Sequence, residues 1–178
     1  VDVAGITINR YCASGLESIA MATAKIRSGM ADCIIAGGTE SMSLVPTAGW
    51  KTVPSYEIAN NDPDYYLSMG LTAEAVAKEY TISRADQDAF AYASHQKAMT
   101  AQQENYFKDG ILPITVEEVY VNEKGKKATR SYVVDSDDGV RADTSIEALA
   151  KLKPAFAVDG SVTAGNSSQT SDGAAFVV

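Results

Sequence analysis

The stretch ITINRYCASGLESIAMATAKIRSG, residues 6 to 29, decides the fold, because it passes from a strand pattern to a helix pattern within a few residues. Ile6, Thr7 and Ile8 are β-branched and read as a strand end, whereas Leu16, Ile19, Ala20, Thr23 and Ile26 recur at helical spacing. Gly29 is placed to end that helix. Cys12 therefore falls at or just before a helix N-terminus, where unpaired backbone N–H groups and the helix dipole favour a thiolate. Ala13, Ser14 and Gly15 leave room beside it for a reactant. This is a setting for a nucleophile; the alternative is that Cys12 packs as a small hydrophobe, as most free cysteines do. An ordinary thiol is only about 3% thiolate at pH 7, and a helix end worth about 1 kcal/mol lifts this to about a fifth at most, so a further activating group is needed.

Outward from this stretch, Cys33-Ile34-Ile35-Ala36 is a short apolar run between Asp32 and Gly37 and reads as a buried strand. Strand, helix and apolar strand in succession predict an α/β fold with a mostly parallel sheet, helices on both faces and a right-handed crossover. Gly37-Gly38 would then turn the backbone at the strand's C-terminal end, the edge where open α/β sheets bind ligands. Leu44 to Leu67, with Pro46, Pro54 and Pro63, reads as a long irregular connection. Thr72 is expected to cap a helix over 73–80, and Ser83 with Asp86 a capping box ahead of a helix over 85–105. Residues 111–135 alternate around Asn122-Glu123-Lys124-Gly125 as a hairpin does, and Thr144 with Glu147 suggests another capping box before a helix over 145–151. Val162-Thr163-Ala164 reads as a strand leading to a small-residue loop and a last strand. His95, the lone histidine, would be the obvious partner for Cys12, but Ser94, Gln96 and Lys97 mark its flank as polar and its expected place as solvated surface.

Composition narrows the function. Of 178 residues, 46% are hydrophobic and 21% charged, enough apolar material for a core. No apolar run approaches the ~20 residues of a membrane span. Two cysteines in dissimilar contexts argue against a disulfide framework. A net charge of −8 argues against nucleic acid as a partner and obliges any anionic coenzyme to find a local cation.

At the level of motifs the chain resembles the thiolases, in particular bacterial 3-ketoacyl-CoA thiolases of fatty-acid β-oxidation. The resemblance rests on Asn9-Arg10-Tyr11-Cys12-Ala13-Ser14-Gly15-Leu16, Gly37-Gly38-Thr39-Glu40-Ser41-Met42-Ser43, Met69-Gly70-Leu71-Thr72-Ala73-Glu74, Leu152-Lys153-Pro154-Ala155-Phe156, and Val162-Thr163-Ala164-Gly165-Asn166 through Asp172-Gly173-Ala174-Ala175, in order and over essentially the whole chain. It implies a central fragment of such an enzyme: residues 1–45 from the N-terminal domain with the nucleophile strand-helix-strand, 46–160 an inserted loop domain with helices and a β-hairpin, 161–178 the return segment, and the C-terminal domain absent. Both ends of the chain, at Val1 and Val178, read as cut from something longer. Such a fragment would expose unpaired sheet edges and apolar surface and would be inactive alone.

The same resemblance implies an acyltransferase. Cys12 would attack the keto carbon of a 3-ketoacyl-CoA, acetyl-CoA would leave, and coenzyme A would take the acyl group from the cysteine. Coenzyme A is then a co-substrate; no permanent cofactor and no metal are implied. By position Arg141 corresponds to a cation near the adenine nucleotide, Phe156 to an apolar wall of the coenzyme cleft, Ala164 and Ser168 to the loop along the pantetheine, and Met69 to a pocket residue near the acyl group. Each also has a plainer reading: Phe156 as core, Arg141 as a surface ion pair, Ser168 as a turn former. Ser68 stands where biosynthetic acetoacetyl-CoA thiolases commonly carry His, which suits a longer acyl substrate, and Ala148 stands where some relatives have Ser. The family's activating His and second Cys would lie beyond Val178. A homodimer or tetramer, a β-oxidation multienzyme partner and a bacterial cytoplasmic setting are implied, with an organellar origin left open. A biosynthetic acetyl-CoA acetyltransferase, or a thiolase-like lipid- or coenzyme-binding protein without catalysis, are the alternatives.

Overall fold

The computed structural model describes residues 3–47 and 49–178. Val1 and Asp2, assigned by sequence to the N-terminal domain, and Ala48, in the expected irregular connection, lie outside the described residues. The chain divides into two compact units, one of Val1–Ser55 with Thr170–Val178 and one of Tyr56–Gln169.

In the first unit, α1 spans Ser14–Arg27 and β1 Ala36–Glu40. The helix ends where Gly29 takes φ +72°, its N–H bonding the Ile26 carbonyl while Met30 N–H reaches back to Lys25, a Schellman closure. β1 pairs antiparallel with β4, Gly173–Val177, in the register Ala36↔Val177 to Glu40↔Gly173. Gly37 is required here, since a Cβ would lie 2.7 Å from the Cα of Phe176. The Ser18 hydroxyl ties α1 to β1 through the Gly37 carbonyl, at 3.0 Å. At the far end of the strand pair the carboxylate of Asp172 accepts the Ser43 N–H at 2.8 Å and the Ser43 hydroxyl at 2.5 Å.

Three expectations for this unit change. Ile6–Ile8 forms no strand, so the parallel crossover predicted on either side of α1 is not made; the described strand pairs are both antiparallel. A β-branched run is extended by its own sterics but becomes a strand only when another edge bonds it. Cys33 is exposed and precedes the strand rather than lying buried in it, because β4 meets the chain from Ala36 onward. Gly37-Gly38 is consequently inside the strand and not in a turn beyond it.

The second unit carries α2 (Tyr56–Asn61), a 3-10 turn (Pro63–Tyr66), α3 (Met69–Glu79), α4 (Arg84–Gln103), a second 3-10 turn (Lys108–Gly110), the hairpin of β2 (Ile114–Val121) and β3 (Lys127–Val134), and the short α5 (Ile146–Ala150). The region predicted as irregular thus holds two short helices. Ser68, not Thr72, caps α3, its hydroxyl accepting the Leu71 N–H, while the Thr72 hydroxyl donates to the Ser68 carbonyl from within the helix. The Ser83–Asp86 box stands at the head of α4 as expected. Ser145, one residue beyond the predicted Thr144, caps α5. In the hairpin turn the Asn122 side chain accepts N–H bonds from Lys124 and Lys126, both at 3.0 Å, and Gly125 supplies φ +71°. Glu118 and Arg130 face each other across the strands as an ion pair of 2.7 Å, with the guanidinium over the rings of Tyr120 and Tyr132.

The core of the second unit lies where the return loop meets α3, α4 and α5: Ala77, Asp88, Leu149, Val162 and Thr163 are its buried residues. Instead of the predicted strand at 162–164, a single antiparallel bridge joins Pro154 to Thr163. The chain exposes 14808 Å² of surface, whereas two compact units of these sizes would together expose about 10,000 Å². Large apolar side chains contribute to it: Leu16 and Ile26 on α1 and Phe176 and Val177 on β4 are all exposed.

Candidate functional site

Cys12 is exposed, two residues ahead of α1, on a turn held by its neighbours' side chains. Asn9 Oδ1 accepts the Tyr11 N–H at 2.9 Å; Ser14 Oγ accepts the Arg10 N–H and donates to the Tyr11 carbonyl, each at 2.7 Å. These bonds keep Tyr11 at φ +50°, a left-handed conformation that a bulky residue enters only when its surroundings hold it there. The Ala13 and Ser14 N–H groups turn back to the carbonyls of Arg10 and Tyr11, at 3.1 and 3.0 Å. Arg10 is neutralised by Glu17 at 2.5 Å, so the positive character left beside the thiol is mainly that of the helix end. Ala13, at the cap position, provides no side-chain acceptor, which leaves first-turn amides available to a negative charge.

The other five residues singled out by sequence belong to the second unit. Met69 opens α3 and is exposed; Phe156 is also exposed, with its ring against Gly70, where any Cβ would collide with it. Met69 forms one wall of a cleft of about 400 Å³ with Thr72, Val76, Ile82, Val162 and Asn166. Ala164 is exposed at the turn following Thr163, and Ser168 is exposed with its hydroxyl turned to the Gln169 carbonyl. Arg141 falls at a different place: its guanidinium pairs with Asp143 at 3.2 Å, and its backbone N–H donates to Nδ1 of His95, also at 3.2 Å. The Arg141 contact holds the Asp143 carboxyl below its ordinary value. His95 is half-buried and bonded, not the solvated surface residue expected, because the 137–143 segment folds over its flank of α4.

Sequence reasoning passed over the polar groups that hold the cleft's walls. Asp88, whose side chain is 3% exposed, accepts from Arg84 Nε at 2.8 Å and from Asn166 Nδ2 at 2.9 Å. Asn166 in turn accepts the Thr163 N–H at 2.7 Å, and Arg84 reaches the carbonyls of Leu149 and Leu152 at 2.6 and 3.1 Å. Glu74 receives the N–H groups of Ser161 and Val162 and the Ser161 hydroxyl. Burial opposes its charge, but these donors outweigh burial and keep its carboxyl below the ordinary value. The available signal was a carboxylate set among the small and apolar residues of each helix: Glu74 between Ala73 and Ala75, Asp88 before Ala89 and Phe90.

Among the described residues no group of three or more His, Cys, Asp or Glu is placed to hold a metal, and no helix is long and apolar enough to cross a membrane.

One unit of the chain thus presents a thiol just ahead of a helix N-terminus, and the other carries helices and a hairpin. Comparison with known proteins adds the family: the one described as thiolase, N-terminal domain, matches residues 1–178. The chain belongs to the thiolase family. It is 54% identical over 176 residues to the 3-ketoacyl-CoA thiolase of Bacillus subtilis, covering 99% of this chain and 45% of that protein. It is 42% identical over 190 residues to the acetyl-CoA acetyltransferase of Pseudomonas aeruginosa, covering 100% of this chain and 46% of that one. The crystal structure of the dimeric peroxisomal thiolase of Saccharomyces cerevisiae superposes with a TM-score of 0.76 at 39% identity, covering 95% of this chain and 41% of that one. The chain spans less than half the length of the relatives it matches.

Proposed function

We propose that this chain is part of an enzyme that cleaves 3-ketoacyl-CoA with coenzyme A to acetyl-CoA and a shortened acyl-CoA, with Cys12 as the nucleophile. The observation that carries the reading is the family match together with Cys12 standing at an uncapped helix N-terminus. The Cys12 sulfur attacks the keto carbon, the bond between that carbon and the α-carbon breaks, and the α-carbon leaves with the electron pair and takes a proton to become acetyl-CoA. The thiol of coenzyme A then attacks the acyl-cysteine, which returns the Cys12 thiolate. A proton donor, a base and an oxyanion site are needed in addition. In this reading the inserted domain corresponds to the helical unit of Tyr56–Gln169. In the same reading Met69, Phe156, Ala164 and Ser168 line the coenzyme's path, and Arg141 meets its nucleotide by exchanging Asp143 for a phosphate. Assembly as a homodimer is supported by the dimeric yeast relative.

The degradative direction rests on Ser68. Its hydroxyl is engaged by the Leu71 N–H, so it serves as the cap of α3. The acetyl-CoA acetyltransferase relative keeps the synthetic direction as the second reading. The test is a thiolysis assay on acetoacetyl-CoA and on a long 3-ketoacyl-CoA, with mass spectrometry of the enzyme after substrate alone. Acylation of the Cys12 peptide and preference for the long substrate are expected; unchanged turnover in Cys12→Ala would refute the nucleophile, and preference for acetoacetyl-CoA would favour the second reading.

A further inference from the structure

Gly70 and Glu74 stand one turn apart on one face of α3, and the chain from Ala155 to Val162 is held against both. At the first, the ring of Phe156 occupies the space a side chain on residue 70 would fill. At the second, the Glu74 carboxylate collects three donors: Oε1 accepts the Val162 N–H at 2.8 Å, and Oε2 accepts the Ser161 N–H at 2.9 Å and the Ser161 hydroxyl at 3.1 Å. The Ser161 N–H also lies 3.0 Å from Oε1, so two successive backbone N–H groups converge on one oxygen. Successive N–H groups converge in this way only where the backbone bends, and an anion at their focus holds the bend. Gly160 completes the fit, because a Cβ there would collide with Glu74 Oε1. The bend is also the base of a loop, since the Ala155 N–H donates to the Val162 carbonyl at 2.9 Å. Phe156 adjoins that base on one side, and Ala164 follows two residues beyond it on the other.

We propose that Glu74 is a positioning residue for coenzyme binding: by fixing the base of the 155–162 loop, its carboxylate sets Phe156 and Ala164 for the pantetheine arm. The role rests on the reading given above, in which these two residues line the coenzyme's path. The Phe156 side chain is exposed, so its place depends on Gly70 beneath it and on the loop base behind it. Glu74 takes no part in bond making, because its oxygens are engaged by the loop's donors. Its loss is therefore felt in proportion to how much of the coenzyme a ligand possesses, whereas a residue that only stabilises the fold affects every ligand alike. What the loop requires is an oxygen at the Oε1 position more than a charge. Glu74→Gln supplies that oxygen to both N–H groups, and its amide NH₂ then faces the Ser161 hydroxyl, which accepts as readily as it donates.

The test is the deacylation half of the reaction in the whole enzyme, acylated from one short donor, a 3-ketoacyl N-acetylcysteamine thioester, and discharged to either coenzyme A or N-acetylcysteamine. The preference for coenzyme A, taken as the ratio of the two kcat/KM values, should fall by at least about tenfold in Glu74→Ala, the size of a contact or two lost along the arm. Glu74→Gln should keep the wild-type preference within about threefold. Gly160→Ala leaves Glu74 in the chain but displaces its carboxylate; it should reproduce Glu74→Ala, and it decides the matter where that variant does not fold. Amide exchange at Ser161 and Val162 in the same proteins should quicken in Glu74→Ala and Gly160→Ala and not in Glu74→Gln. Equal losses with both acceptors, or an unchanged preference in Glu74→Ala and Gly160→Ala, would overturn the positioning role, and unchanged exchange in those two variants would overturn the clamp itself. A wild type with no preference for coenzyme A over the short acceptor would overturn the coenzyme path on which the role rests, a failure read before any variant is made.

Discussion

The Arg84–Asp88 pair should be unequal in its two halves, and that inequality can be worked out before it is measured. The Asp88 side chain is 3% exposed and that of Arg84 26% exposed. Truncating Asp88 to Ala removes one charge-assisted bond from Arg84 and one bond from Asn166, but neither donor is stranded. Arg84 keeps the carbonyls of Leu149 and Leu152 and some solvent, and Asn166 Nδ2 keeps the Ser161 carbonyl at 3.1 Å. A bond to a charged group contributes about 1.5–3 kcal/mol, and because both donors keep other acceptors the loss of two such bonds in Asp88→Ala should fall short of their sum, at about 2–3 kcal/mol. Truncating Arg84 instead leaves the Asp88 carboxylate in the interior with Asn166 as its remaining donor, and an uncompensated buried charge costs about 3–5 kcal/mol. Arg84 also bridges α4 to the end of α5, so its loss unties two carbonyls as well. Urea denaturation of both single variants and the double variant should give a larger loss for Arg84→Ala and a double loss smaller than the sum by about 2 kcal/mol, with unchanged m-values. An Asp88→Ala loss equal to or greater than that of Arg84→Ala, or additivity within about 0.5 kcal/mol, would refute the account of this pair as a buried charge neutralised by a half-solvated one.

Four further outcomes follow from particular geometries. Thr81 ends α3 at φ +55°, where a β-branched residue is strained by about 1–2 kcal/mol and glycine costs about 0.5–1 kcal/mol in chain entropy, so Thr81→Gly should stabilise by about 0.5–1 kcal/mol in a denaturation curve. The Ser43 hydroxyl, then the Ser43 N–H, hold the Asp172 carboxyl below its ordinary value, so its contribution is complete above the unfolded value of 3.8 and is lost as pH falls through the lower folded value; the stability gap between wild type and Ser43→Ala should be flat at neutral pH and close on acidification, and a gap that widens instead would reverse the assignment. Both cysteines are exposed, so limiting iodoacetamide should label Cys12 only a few-fold faster than Cys33, as a helix end worth about 1 kcal/mol allows, and mass spectrometry showing faster labelling at Cys33 would count against the helix-end argument. Arg141→Ala should weaken coenzyme A by about 1 kcal/mol, the low end for a charge-assisted bond, because an incoming phosphate must displace Asp143; unchanged affinity in low-salt calorimetry would reduce Arg141 to its ion pair.

What could be read from the sequence was what neighbouring residues decide among themselves. The Ser83–Asp86 box, the Gly29 helix end and the Asn122–Gly125 turn each close within six residues, and each stands as read. The failures share a cause at longer range. Ile6–Ile8 has the right side chains for a strand, and Cys33 the right neighbours for burial, but a strand needs a partner edge, and the edge that pairs after Cys33 is β4, about 140 residues downstream. Thr72 and Thr144 carry the same hydroxyl as the true caps, Ser68 one turn earlier and Ser145 one residue later, so the residue type alone does not select between them. His95 shows the limit most clearly. Ser94, Gln96 and Lys97 describe its flank of α4 correctly as polar, and a polar flank is normally taken to be wet. Polarity, however, says only that the flank needs hydrogen-bond partners, and a backbone segment meets that need as well as water does. The 137–143 segment, rich in Asp and Gly and without helix or strand pairing of its own, has N–H groups to place, and it finds the imidazole. The same reasoning applies in reverse to α1. Its 3.6-residue period correctly marks Leu16 and Ile26 as one apolar stripe, yet both remain exposed, since a period identifies a face that requires cover and carries no information about what provides it.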